Sequence, residues 1–262
     1  MKTISFILLV LICTAVTAQR RPAPPPAPQN PKLILFDFRV TRAIASPKIS
    51  PATERNVLSK VFRKYLSDES KCNSEFDPGG STDPLLAARK AGQMVPSIVD
   101  MASGSFTALG RQETIYVISV SECNASHADN FGSKRVAIFS GSQLVAEMDD
   151  NFRSSIVRKV DLNGDGIDEL LMAGGDMNMG TATEMAALVD FRGGRLHVIE
   201  DFGTVSLDSC ASELRGSSAK ASVISFADVL PGLTPKLKMS NYIATCRAPT
   251  RWRLLSTGKM PE

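Results

Sequence analysis

The sequence predicts a mainly β protein of antiparallel strands, with a small helical segment near its N-terminus. Three observations carry this prediction. From about residue 104 onward, short runs rich in β-branched residues, among them "ETIYVISVS", "KRVAIFSG", "QLVAEM" and "SIVRKV", alternate with Gly, Ser, Asn or Asp. Their spacing is roughly regular, as it is where consecutive short strands pair with one another. Before residue 104, one segment repeats its apolar residues at a helical period.

The chain opens on "MKTISFILLVLICTAVTA". Lys2 precedes an apolar run from Ile4 to Cys13, and Val16 and Ala18 stand at the spacing a signal peptidase prefers. The run is shorter than the ~20 apolar residues a membrane-spanning helix needs, so a secretory signal peptide over residues 1–18 is expected. Ile12 occupies a position where lipidation at Cys13 would want a small residue. Residues 19–32, "QRRPAPPPAPQNPK", are too rich in proline to build a core and read as a linker.

"LILFDFRVT", residues 33–41, reads as a strand. In "SPATERNVLSKVFRKYL", Ser50 is a candidate helix cap and Pro51 suits the first turn. Val57, Leu58, Val61, Phe62, Tyr65 and Leu66 then share one apolar helix face. "FDPGGSTDP" is turn chemistry, and "PLLAARKAGQMV" suggests a second short helix. These elements make up an expected N-terminal α/β segment, residues 33–101, followed by a β-rich region over 102–262. "DELLMAG", "EMAALVDF", "RLHVIEDF", "ASVISF", "PKLKMS" and "YIATC" continue the strand series, and "FSGSQL" and "FRGGRL" read as hairpin connections.

The formal net charge of +3 is small and its Lys and Arg residues are scattered, so nucleic acid is not an expected partner. No second long apolar stretch follows the leader, so no transmembrane segment is expected in the mature chain. Cys72, Cys123, Cys210 and Cys246 remain after cleavage, an even number that suggests two disulfides in an oxidising compartment. Three pairings are open. Cys72–Cys123 with Cys210–Cys246 is favoured because each bridge then stays within one half of the chain. A metal site built on cysteine is disfavoured, because no two cysteines are close in sequence and the mature chain has only His127 and His197.

"DLNGDGIDE", residues 161–169, places Asp161, Asn163 and Asp165 at positions one, three and five, Gly166 at six, Ile167 at seven and Glu169 at nine. Calcium takes six to eight hard oxygen ligands, and a glycine lets the backbone wrap around the ion. The expected ligands are the side chains of Asp161, Asn163, Asp165 and Glu169 and the carbonyl of Ile167. Position twelve is Met172 and apparent strands flank the loop, so it is no EF-hand but a strand–loop–strand site. The competing reading is a turn closed by side-chain to backbone bonds alone.

The stretch "DLNGDGIDELLMAGG" resembles the calcium loop of FG-GAP and VCBS-type repeats, over about residues 155–191. Such repeats occur in integrin-like β-propellers and in many exported bacterial proteins. The resemblance implies a partial or degenerate β-propeller and calcium ligation by Asp161, Asn163, Asp165 and Glu169. "SFTALGRQETIYV" aligns with "DLNGDGIDELLMA" as a degraded copy, without a gap. Gly110 then matches Gly166, Glu113 matches Glu169 and Phe106 matches Leu162, while Ser105 and Leu109 replace aspartates, so this copy is expected to hold no ion. "ADVLPGLTPKLKM" is a weaker third trace.

Catalytic motifs are absent from the sequence: there is no G-x-S-x-G elbow and no H-E-x-x-H pair. The S-x-x-K matches at Ser217 and Ser256 lack a K-T-G partner. His197 fits a strand position, and the methionines 172, 177, 179 and 185 are expected to pack rather than bind copper. The expectation is an exported, secreted or periplasmic protein with a calcium-stabilised β-repeat, non-catalytic, that binds a protein or glycan partner. An exported hydrolase or a carbohydrate-binding accessory protein is the alternative, and a copper-handling factor the third reading.

Overall fold

The computed structural model describes residues 33–40, 47–62, 96–119, 134–150, 153–212, 216–227, 233 and 235–260. The leader, the proline-rich stretch, the expected second helix, Cys72, Cys123, His127 and the central glycine of the third repeat trace lie outside these residues.

The architecture is mainly β and antiparallel throughout. Two strands and a helix come first in the chain: β1 (Leu33–Asp37), α1 (Pro51–Val61) and β2 (Ser97–Gly104). Then follow β3 (Glu113–Ser119), β4 (Lys134–Ser140), β5 (Gln143–Asp149), β6 (Ser155–Val160), β7 (Glu169–Asn178) and β8 (Thr181–Asp190). A single 3-10 turn, Arg192–Gly194, leads into β9 (His197–Asp208), β10 (Ser218–Ala227), β11 (Lys236–Thr245) and β12 (Ala248–Thr257). β2 to β5 form a four-stranded meander in chain order, and β6 to β12 run on as neighbours in a second sheet. That second sheet curls strongly, into a half-barrel.

Three differences from the sequence reading have physical reasons. β2 runs across residue 101, the expected end of the N-terminal segment, and β1 of that segment pairs with β10. "PKLKMS" and "YIATC" belong to one strand, β11, because the polar Asn241 between them is satisfied inside the sheet. It accepts from Ser222 Oγ at 2.7 Å and donates to Ser256 Oγ and the Gly258 carbonyl, each at 2.9 Å. β2 and β12 were not anticipated, since neither alternates cleanly between apolar and polar residues. The connections at Gly141 and at "FRGGRL" are hairpins, as expected.

Strand alternation sorts the core into layers. On β3, Tyr116 and Ile118 pack with Val57, Leu58, Val61 and Phe62 of the helical segment, while Ile115 and Val117 face the second sheet. On β7, Leu170 and Met172 meet that face, and Leu171 and Ala173 point into the hollow of the curled sheet. β3 and β7 are therefore buried on both sides. Ser50 caps α1 by accepting from Thr53 N at 3.1 Å, and Pro51 begins it.

β1 closes the curled sheet. One edge of β10 is shared between β9, at Ala219–Ala221, and β1, at Val223–Phe226. On the far side of β1, the Arg158 guanidinium of β6 donates to the carbonyls of Ile34 and Leu35 at 3.0 and 2.9 Å. Both carbonyls can face this arginine because the β1 ladder slips between Ile34 and Phe36.

Candidate metal site

Residues 161–168 join β6 to β7, so the acidic loop has the strand–loop–strand setting its sequence suggests. The Asp161 carboxylate folds back over the loop, accepting from Asp165 N at 3.1 Å and Gly166 N at 2.9 Å. Asn163 Oδ1 also accepts from Asp165 N, and its amide donates to Asp165 Oδ2, both at 3.0 Å. Asp165 Oδ1 accepts from Ile167 N at 2.9 Å. Gly166 permits this wrap with a φ of 81°, and the Leu109 side chain stands where any Cβ would project.

Glu169 opens β7 and is buried, its side chain 3 % exposed. Its Oε2 accepts from Leu162 N at 2.7 Å. Its Oε1 lies 3.2 Å from Arg192 Nη2, and the same nitrogen lies 2.6 Å from Asp165 Oδ2. Arg192 Nε is 3.3 Å from Asp190. One guanidinium thus sits on the acidic loop and ties it to the turn between β8 and β9.

Burial pushes the Glu169 carboxyl above its ordinary range, and the Leu162 N–H and Arg192 only partly oppose this. Desolvation also acts upward on Asp165. There the Ile167 N–H, Arg192 and Asn163 together outweigh it and hold the carboxyl low. Asp165 in turn raises the already high pKa of Arg192.

The loop between β2 and β3, which aligns in sequence with the acidic loop, has the same closure. Glu113 opens β3, is buried, and accepts from Phe106 N at 2.9 Å and Thr107 N at 2.8 Å. Phe106 and Leu162, the matched residues, are both buried, so each loop tucks one apolar side chain beneath a buried glutamate. The two loops also touch. Asp168 N donates to the Ser105 carbonyl at 2.6 Å, and Ser105 N donates to Asp168 Oδ2 at 2.8 Å. Gly104 makes this approach possible, because a Cβ there would stand 2.2 Å from Asp168 Oδ2. Gly193 N reaches the Thr107 carbonyl at 3.1 Å, so the 3-10 turn touches both loops.

The expected ligands are therefore gathered unequally. Asp165 and Glu169 share a cation, Asn163 is bonded to Asp165, and both Asp161 oxygens are turned toward backbone N–H groups. The backbone of Ile167 meets the site through its N–H. The set is made of hard oxygens, as calcium requires. Among the described residues, no three His, Cys, Asp or Glu side chains converge closely enough to cage an ion as they stand. Arg192 was missed in the sequence; a basic residue in a hairpin 23 positions after Glu169 carries no local signal. Glu113 was legible only by its alignment with Glu169, and Asp168 was missed.

Among the other candidates, His197 is exposed at the start of β9, as a strand residue. Met172 packs in the core, but Met177 and Met179 are 64 % and 92 % exposed, which corrects the expectation that they pack. Met177 is held by its pairing with Ala182 near the end of β7, and Met179 lies in the tight β7–β8 turn with a φ of 47°, so neither needs side-chain burial to be fixed. Cys210 and Cys246 form a disulfide, with Cα atoms 5.3 Å apart, that staples the β9–β10 connection to the β11–β12 turn. No described helix is long and apolar enough to cross a membrane. Comparison with family models, with curated proteins and with solved structures gave no match.

Proposed function

We propose that this is an exported, non-catalytic binding or structural protein built on FG-GAP/VCBS-like repeats, in which loop 161–169 is a structural calcium site. The observation that carries the reading is the pair of matched strand–loop–strand units, each closed by a buried glutamate on the backbone N–H seven residues before it. In the unit that keeps its acidic residues, Asp165 and Glu169 are drawn around a positive charge. Calcium bound there would take oxygens from Asp161, Asn163, Asp165 and Glu169 and the carbonyl of Ile167, and would pin β6 to β7. Arg192 is the counter-ion of the calcium-free loop and leaves it when the ion enters. The Cys210–Cys246 bridge supports an oxidising compartment, secreted or periplasmic. The partner is a protein or a glycan.

One observation favours a second reading. The Arg192 contacts supply the charge a metal would bring, so the loop is also a complete turn without one. Thermal melting of the oxidised chain separates the two. A folded-state ion raises stability by about 2.7 kcal/mol at a hundred times its Kd. The calcium reading expects a higher midpoint in calcium than in chelator, and loss of that difference in Asp165→Ala. Identical midpoints in calcium and chelator, for both proteins, would leave only the arginine-closed turn.

A further inference from the structure

We propose that the edge strand β12 is a docking strip for a bilayer that carries anionic phospholipid. β12 ends the curled sheet, with β11 on one edge and, among the described residues, no strand on the other. It shares no residue with the acidic loop, so the proposal stands independently of the calcium reading.

Charge is divided unequally across this sheet. β7, β8 and β9 each carry at least two carboxylates, whereas β10, β11 and β12 carry none. Among the described residues, ion pairs hold Arg39, Arg111, Arg135, Arg153, Lys159 and Arg192. Arg247, Arg251, Arg253 and Lys259, all exposed, have no carboxylate partner among the described residues. They follow the edge from the β11–β12 turn to just past the end of β12, whose ten residues span roughly 30 Å. This division turns the β12 edge toward an anionic surface and the β7–β9 side away from it.

Apolar residues stand within the same row. Leu254 and Leu255 are 61 % and 41 % exposed. The ladder pairs Ser256 with Asn241 and Leu254 with Tyr242, so Leu255 is the extra residue of a bulge. Edge strands are commonly kept from pairing by bulges, prolines and charges. The bulge, Pro249 and the arginines meet that need, but it leaves two adjacent exposed leucines unexplained. An anionic bilayer uses both features, with cations on lipid phosphates and leucines at the acyl boundary. A strand approached edge-on offers both of its faces to one plane, so consecutive residues reach the same depth. Its free N–H groups then meet phosphate oxygens and water in the headgroup layer, above the hydrocarbon. A soluble polyanion would leave the leucines in water, and an uncharged bilayer would leave the cations unmatched.

Trp252, the single tryptophan of the chain, lies in this strip, half-buried against the core of the curled sheet. Its emission therefore reports docking at β12, and vesicle co-sedimentation gives the affinity. The oxidised chain is used without the expected leader, residues 1–18, whose apolar run would itself bind lipid. Chelator is present so that no calcium bridges protein to lipid. Saturable binding with a blue shift of Trp252 is expected on vesicles of phosphatidylglycerol mixed with phosphatidylcholine. On phosphatidylcholine alone it should be weaker by about tenfold or more. Arg251→Gln with Arg253→Gln should weaken binding about 30-fold, and Leu254→Ser with Leu255→Ser about tenfold. Lys48→Gln with Arg195→Gln removes the same charge away from the strip and should leave the affinity unchanged. All six residues are exposed, so each variant should keep the wild-type melting midpoint. Absence of saturable binding, binding with no change in Trp252 emission, or equal affinity for the two kinds of vesicle would each overturn the assignment. So would an affinity unchanged in either β12 variant, or an equal loss in the Lys48 and Arg195 variant.

Discussion

Replacing Arg192 by glutamine removes one positive charge that two carboxylates share. The two contacts are unequal. Asp165 lies 2.6 Å from Nη2, but the arginine side chain is 38 % exposed, so this pair is screened and is assigned about 0.5 kcal/mol. Glu169 lies 3.2 Å away and is nearly fully buried, so its contact is set near the low end for a charged hydrogen bond, about 1.5 kcal/mol. Arg192→Gln should therefore cost about 2 kcal/mol in chelator, a midpoint about 4–8 °C lower for a chain of this size. The same contacts work in reverse on calcium. If the ion must displace the guanidinium, the variant should bind it up to about 30-fold more tightly. Differential scanning calorimetry with chelator and then with graded calcium reads both effects. A variant that melts with the wild type in chelator would refute the closing role of Arg192. A variant and wild type with the same calcium response would refute displacement.

Glu113→Ala strips two buried N–H groups of their acceptor and should cost about 3 kcal/mol, measured by urea denaturation, with no dependence on calcium. Cys210→Ser with Cys246→Ser opens a covalent loop of sequence separation 36 and should cost up to about 4 kcal/mol, read as a lower midpoint and a smaller further drop on reduction than in the wild type. Acid titration should separate the two loop carboxyls. The Glu169 pKa is raised on folding above its ordinary 4.5, so its contribution is fullest below that value and is lost as pH rises through the raised value. The Asp165 pKa is lowered, so its contribution is present above the ordinary aspartate value of 3.8 and is lost as pH falls. Glu169→Gln removes the opposing effect, and stability should fall more steeply on acidification than in the wild type; equal slopes would contradict this. Phe106→Ala empties a fully buried site beneath the degraded loop and should cost about 3–5 kcal/mol by the same urea assay.

The strands that could be read in advance are those whose two faces differ or are both buried. β3, β4 and β7 are runs of branched and aliphatic residues because they are covered on both sides. α1 was legible in its cap, its first-turn proline and its apolar face. β12 was not, since it is an edge strand with Leu254 and Leu255 exposed, and an edge imposes little pattern. β2 was hidden because its polar residues do tertiary work: Asp100 accepts from Ile156 N at 2.7 Å, and Ser103 Oγ lies 3.2 Å from Thr114 Oγ1 on β3. Both partners lie on other strands, so no local window contains the reason for these residues.

The chain by itself determined its secondary structure over most of the β region, the strand–loop–strand setting of the acidic loop and the matched glycine and glutamate positions of that loop and the one before it. These follow from short-range rules: side-chain alternation, glycine at positive φ, and a carboxylate reaching N–H groups a few residues away. Tertiary structure alone decided that Arg192 would lie on Asp165 and Glu169 and that the two loops would lock through Asp168 and Ser105. Each of these depends on how distant strands stack, and stacking is set by the sum of many weak packing terms that no single stretch of sequence displays.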